Sequence, residues 1–288
     1  MNKRIFALLL AAVLVLALTG CAKKEHSEGN PKTDLLATTQ PVYQLTCALT
    51  DGTGLCVGLL ISESVSCLHD YTLTVSQMEM IEQSGLVLES GLGLEGFMED
   101  VLRGKTRIDI SRNLDTLPGE DGADPHWWLD PMRYKQAAEL AAQELGAQYP
   151  EFSDQISENL AAFCEKLSSL QDYGEQALSD LSCRQLVTFH DGFSYFADAF
   201  SLTIAAAMEV ESGSEPSAKE IESVIRLVET EAIPAVFCEE NGERQTAETV
   251  AKQTGTGLFA LTMGMDGGAA GCTDAIYHNI DIIREALS

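Results

Sequence analysis

FSDQISENLAAFCEKLSSLQDYGEQALSDL, residues Phe152 to Leu181, decides the fold. The stretch holds no proline and a single glycine, and Leu160, Phe163, Leu167, Leu170 and Leu178 recur at helical spacing. Thirty residues of helix would run about 45 Å at 1.5 Å per residue. A helix of that length in a globular chain joins two bodies. It predicts a connector over 151–182, with one α/β lobe before it (41–150) and one after it (183–288).

On its C-terminal side the pattern alternates. Gln185–Phe189, Thr203–Val210, Ala235–Cys238 and Gly257–Leu261 read as strands. Between them fall helical patterns over Gly192–Phe200, from the capping box Ser217–Glu220, and over Arg244–Thr254. A glycine-rich loop, Thr262–Cys272, leads to a last helix over Thr273–Leu287. On the N-terminal side Tyr43–Leu49 and Leu55–Ser62 are expected strands around a Thr50–Gly54 turn. Thr74–Gln77 is a capping box, Leu86–Glu89 and Thr106–Ser111 are strands, and Glu95–Leu102 is a helix. Asp130-Pro131 supplies an N-cap and a first-turn proline for a helix over 131–146. Strands alternating with helices indicate parallel sheets, so the fold class is α/β, with two lobes joined by the long helix.

The first residues are a different kind of segment. Lys3 and Arg4 precede an apolar run from Ile5 to Leu18, then Thr19-Gly20-Cys21. This reads as a secretory signal over 1–20, too short to span a bilayer. Leu18-Thr19-Gly20-Cys21 resembles a bacterial lipobox, which implies cleavage before Cys21 and lipidation of its sulfur. Residues 21–40 read as a polar tether. The chain has 44 acidic and 18 basic residues, a formal charge of −26 that loss of Lys3 and Arg4 makes more negative. So acidic a chain repels nucleic acid and anionic substrates and attracts cations. Seven cysteines remain beyond Cys21, with no CxxC, and most read as small buried hydrophobes; Cys47 and Cys56, flanking a short turn, are the one pair to test for a disulfide.

In parallel sheets ligands collect at the carboxyl ends of the strands. Of five histidines, His26 lies in the tether and His278 on the polar side of the last helix. His69 follows the second strand, His126 precedes a helix after the 106–111 strand, and His190 ends the 185–189 strand; Asp266 lies in the loop after Leu261. Three imidazoles and a carboxylate suit a tetrahedral divalent ion, zinc above all. The plainer alternatives are a core histidine at His190 and a turn residue at His69.

The segments Ser66-Cys67-Leu68-His69-Asp70-Tyr71, Gly91-Leu92-Gly93-Leu94-Glu95, Asp124-Pro125-His126-Trp127-Trp128-Leu129-Asp130-Pro131, Val187-Thr188-Phe189-His190-Asp191-Gly192-Phe193 and Glu215-Pro216-Ser217 resemble, in this order, the zinc/manganese substrate-binding lipoproteins of bacterial metal ABC importers. The resemblance implies two lobes joined by a rigid long helix and a metal held between them. It implies delivery of the cargo to a membrane permease subunit, by a chain expected to be a monomer held to the membrane through lipid on Cys21. It carries His69 and His126 over as first-lobe ligands, His190 as the second-lobe ligand and Asp266 as the carboxylate. A histidine at position 190 favours Zn²⁺ over Mn²⁺. Departures are the apparent lack of a helix between the first two strands, Trp127 in place of a smaller residue, and no histidine-rich insert before Asp124. Cys67 and Glu239 are rival ligands, with Glu240 beside the latter.

Two other functions compete with metal capture. A zinc hydrolase would need a metal-bound water and a base such as Asp191 or Glu239, but the chain has no HExxH or HxH cluster and no catalytic residue is assigned. A surface adhesin would carry its metal incidentally.

Overall fold

The computed structural model describes residues 33–62, 71–119, 122–208, 216–242, 244–265 and 271–288. The first sheet is built on Leu35–Ala37 (β1), whose three residues are fully buried. A strand covered on both faces reads as an unbroken apolar run, and this one does. Helix α1 (Gln40–Thr50) returns to β2 (Val57–Leu59); α2 (Val75–Gln83) leads to β3 (Leu86–Glu89), and short α3 (Glu99–Leu102) to β4 (Arg107–Asp109). The sheet order is β2-β1-β3-β4, all parallel.

Two expectations are corrected here. The tether was expected to reach residue 40, yet its end is the central strand β1. Tyr43–Leu49 was expected as a strand, yet it lies in α1, so the helix between the first two strands is present. The residues fit both periods, and burial decides. Val42, Leu45, Thr46 and Leu49 form one buried helical face, with Pro41 in the first turn. The hydroxyls of Thr46 and Thr50 donate to the carbonyls of Val42 and Thr46, one turn back, which lets these polar groups be buried within a helix.

The segment before Asp124 contains a small antiparallel hairpin, β5 (Pro118–Gly119) with β6 (Gly122–Ala123). Helix α4 (Pro131–Gln148) follows, its N-terminus capped by the Asp130 carboxylate through the Met132 and Arg133 amides. The long helix is α5 (Ser153–Ala177), 25 residues and about 37 Å. It packs on α1 and α4 at one end, where the Asn159 amide donates to the Leu49 and Asp51 carbonyls. At the other end it meets the second lobe, where Gly174 lies under the Phe200 ring.

The second lobe has β7 (Gln185–Thr188), α6 (Ser194–Ala199), β8 (Thr203–Ala207), α7 (Ala218–Thr230), β9 (Ala235–Glu239), α8 (Gln245–Thr254), β10 (Gly257–Leu261) and α9 (Cys272–Leu287). Its sheet runs β10-β9-β7-β8, again all parallel. Residues 33–288 form one compact unit. One continuous set of buried side chains runs from Leu88 and Ile110 past Leu167 and Leu170 of α5 to Leu186, Phe237 and Ile280. Cys47 and Cys56, the pair singled out for a disulfide test, are free thiols. Among the described residues no helix is long and apolar enough to cross a membrane.

Candidate metal centre

Two imidazoles, one carried by each lobe, meet edge to face. His126 sits between the β5–β6 hairpin and a 3-10 turn, Trp127–Leu129, that runs into α4. Its support is two buried indoles. Trp127 donates to the Ser90 carbonyl within the first lobe (3.0 Å), and Trp128 to the Met263 carbonyl of the second (2.9 Å). The buried Asp124 carboxylate accepts from both the His126 amide (2.9 Å) and Nδ1 (2.8 Å). A carboxylate on Nδ1 places the proton there and leaves Nε2 with a free lone pair, the tautomer of a metal ligand.

Ser90 is itself fixed. The buried carboxylate of Glu95 accepts from the Thr38 hydroxyl (2.7 Å) and the amides of Ser90 (2.7 Å) and Gly91 (3.0 Å). It thereby ties the loops after β1 and β3 together. Burial outweighs these hydrogen bonds and pushes the Glu95 pKa up to about 7.

His190 follows β7 in the other lobe. Its ring centre lies 5.5 Å from that of His126, edge to face. Nε2 is buried and has no hydrogen-bond partner. Nδ1 lies 3.6 Å from Glu239 Oε2, too far for a hydrogen bond. Burial, then repulsion by His126, lowers the His190 pKa to about 3, although Asp124 opposes this. Burial alone raises Glu239 to about 8. Near pH 7 the pair is therefore a neutral imidazole beside a protonated carboxyl. Gly192 closes the floor; a Cβ there would lie 2.7 Å from His190 Cδ2 and 2.5 Å from Met263 Cε.

The structure thus brings together His126 and His190, from opposite lobes, and sets the rival Glu239 beside them. Glu240 points elsewhere, 3.8 Å from the half-exposed His278. His69, Cys67, Asp266 and Cys21 lie outside the described residues. Among the described residues no group of three or more His, Cys, Asp or Glu side chains forms a complete cage. Sequence reasoning missed the role of Asp124, signalled only by its place two residues before His126. It also missed Met263 and Tyr195, for which the sequence carries no signal.

Residues 35–286 match the family described as zinc-uptake complex component A, periplasmic. Among relatives, the zinc-binding lipoprotein AdcA of Streptococcus pneumoniae is 28% identical over 270 residues, 86% of this chain and 53% of AdcA. The zinc-binding protein TroA of Treponema pallidum is 28% identical over 242 residues, 76% of this chain and 78% of TroA. The chain spans about half the length of the AdcA proteins it matches. A crystal structure of ZnuA superposes with a TM-score of 0.78 at 28% identity, covering 89% of this chain and 99% of that one. The Zn(II)-bound ZnuA-like domain of S. pneumoniae AdcA gives 0.77 at 25% identity, over 89% and 99%. With the family match running from the first core strand to the last helix, the chain belongs to the zinc-uptake complex component A family.

Proposed function

We propose that this protein captures a divalent transition metal, Zn²⁺ in preference to Mn²⁺, outside the cytoplasm and hands it to the permease of an ABC importer. The observation that carries this reading is the facing pair His126 and His190, one with Nδ1 held by Asp124 and the other with a buried, unpartnered Nε2. Two imidazoles on one tetrahedral zinc, with nitrogens about 2 Å from the ion, have ring centres roughly 5 Å apart; these are 5.5 Å apart. The low proton affinity of His190 suits the same task, because a ligand nitrogen must be unprotonated.

In this reading His69 and Asp266 complete a four-ligand cage, with Glu239 and Cys67 as rivals. Four protein ligands leave no open position for a reacting water, which fits a carrier and not an enzyme. The zinc-binding relatives AdcA and TroA, and the zinc-bound AdcA domain, support the choice of metal. Lipid on Cys21 would hold a monomer at the membrane beside its permease.

Calorimetry on the mature protein is the test. One Zn²⁺ per chain is expected, with affinity falling by orders of magnitude in His190→Ala. Lack of a saturable site near neutral pH would overturn capture, and an ordered water as fourth ligand in a zinc-loaded crystal would point to hydrolysis instead.

A further inference from the structure

We infer that Tyr195 is a positioning residue for His126, acting from the opposite lobe through Asp124. The inference rests on the metal-capture reading for its purpose but not for its geometry.

Tyr195 lies on α6, five residues after His190, and is fully buried. Its hydroxyl leaves the second lobe altogether. It donates to the Asp124 carbonyl (2.9 Å) and accepts from the Leu117 amide (3.0 Å). Those two residues are the neck of the hairpin loop, joined by the Asp124 amide donating to the Leu117 carbonyl (2.9 Å). One phenol oxygen from the second lobe therefore closes the neck of the first-lobe loop. The next link is Asp124 itself, whose carboxylate holds both the amide and Nδ1 of His126.

The ring is held as firmly as the hydroxyl. The Arg133 guanidinium lies 4.9 Å from the Tyr195 ring centre and pairs with Asp130 of its own helix start and with Asp198 of α6. Tyr195 is thus clamped between helices of both lobes. The lobe that presents His190 also fixes the tautomer and aim of His126, so the two imidazoles are set relative to each other before any ion arrives. Partners that orient a metal-bound histidine carry a large share of a site's affinity, commonly tenfold to a hundredfold.

The experiment is a double-mutant cycle of Tyr195→Phe and Asp124→Ala, read by zinc affinity and by ¹⁵N shifts of the His126 ring in metal-free protein at about pH 8, where imidazole is neutral. Tyr195→Phe keeps the ring and removes one oxygen. The expected result is roughly tenfold weaker zinc binding, with a shift from the Nδ1–H tautomer towards a mixture. In the Asp124→Ala background the same change should cost little more, because its route is already cut. Additive losses, or an unchanged tautomer in Tyr195→Phe, would overturn the positioning role. The ring shifts need no metal, so they judge this inference even if wild-type protein fails to take up zinc and the capture reading falls.

Discussion

The indole of Trp128 donates to the main-chain carbonyl of Met263, across the two lobes, at 2.9 Å. Trp128 is two residues from His126 and its ring touches that imidazole, while the Met263 methyl borders Gly192 beneath His190. Trp128→Phe keeps an aromatic ring but leaves a buried carbonyl short of its donor. A loss of about 1–3 kcal/mol is expected, read by urea denaturation of metal-free protein. A change below a few tenths would mean that the bond is replaced on mutation.

Gly174→Ala reverses an ordinary rule. In an exposed helix interior the change would stabilise by about 0.5–1 kcal/mol. Here the new methyl would lie 2.2 Å from Phe200 Cε1, inside the packing of α5 on the second lobe. Overpacking of this kind costs about 1–3 kcal/mol and should win. The thermal midpoint should fall; a rise would show that Phe200 swings aside freely.

Glu239→Gln separates by pH. In the fold this carboxyl titrates at about 8, against an ordinary 4.5. Between those values the folded protein keeps its proton and the unfolded chain does not, so stability declines as pH climbs through the window. Glutamine resembles the protonated form and never ionises. At pH 8 the variant should exceed the metal-free wild type by several kcal/mol, on the order of three and a half pKa units at 1.36 kcal/mol each. At pH 4 the two should agree. His190 has the opposite slope: lowered to about 3, it takes stability away as pH falls below 6.5.

Glu95→Gln tests the knot after β1 and β3. All three donors that reach this carboxylate must be accepted, and an amide has one acceptor oxygen. At least one buried donor then faces an NH₂ group, at a cost of about 1–3 kcal/mol. Guanidinium unfolding should show that loss. Zinc affinity should fall with it, since Ser90 supports Trp127 next to His126.

The parts of the fold that the sequence made legible are those where one signal acts alone. Both capping boxes, at Thr74 and Ser217, and the Asp130 cap form as their residues suggest. β3 and β10 span the residues that their apolar runs indicated. The failures come where two signals overlap. Tyr43, Leu45, Cys47 and Leu49 alternate like a strand, while Val42, Leu45, Thr46 and Leu49 line a helix. Only the burial of two threonines, satisfied by carbonyls one turn back, settles the choice. β1 escaped notice because a central parallel strand of three residues is too short to show a period. At the candidate site His126 and His190 could be picked out as residues, because histidine is scarce and both follow strands. Their partners could not. Met263 and Tyr195 reach the site through tertiary contacts between distant segments, and such contacts leave no trace in local spacing; Glu239 showed only as a rival ligand.

The shared interior has a consequence for anyone who would divide this molecule. Leu167 and Leu170 belong to one wall that both sheets lean on, and the last helix lies against α1 as well as α5. Cutting the chain at either end of α5 would bare an apolar face on each piece, with nothing of its own to cover it. Neither piece is then an autonomous folding module. The protein should melt in one calorimetric step, and truncated halves should be recovered as aggregates, or as a reassembled pair when made together.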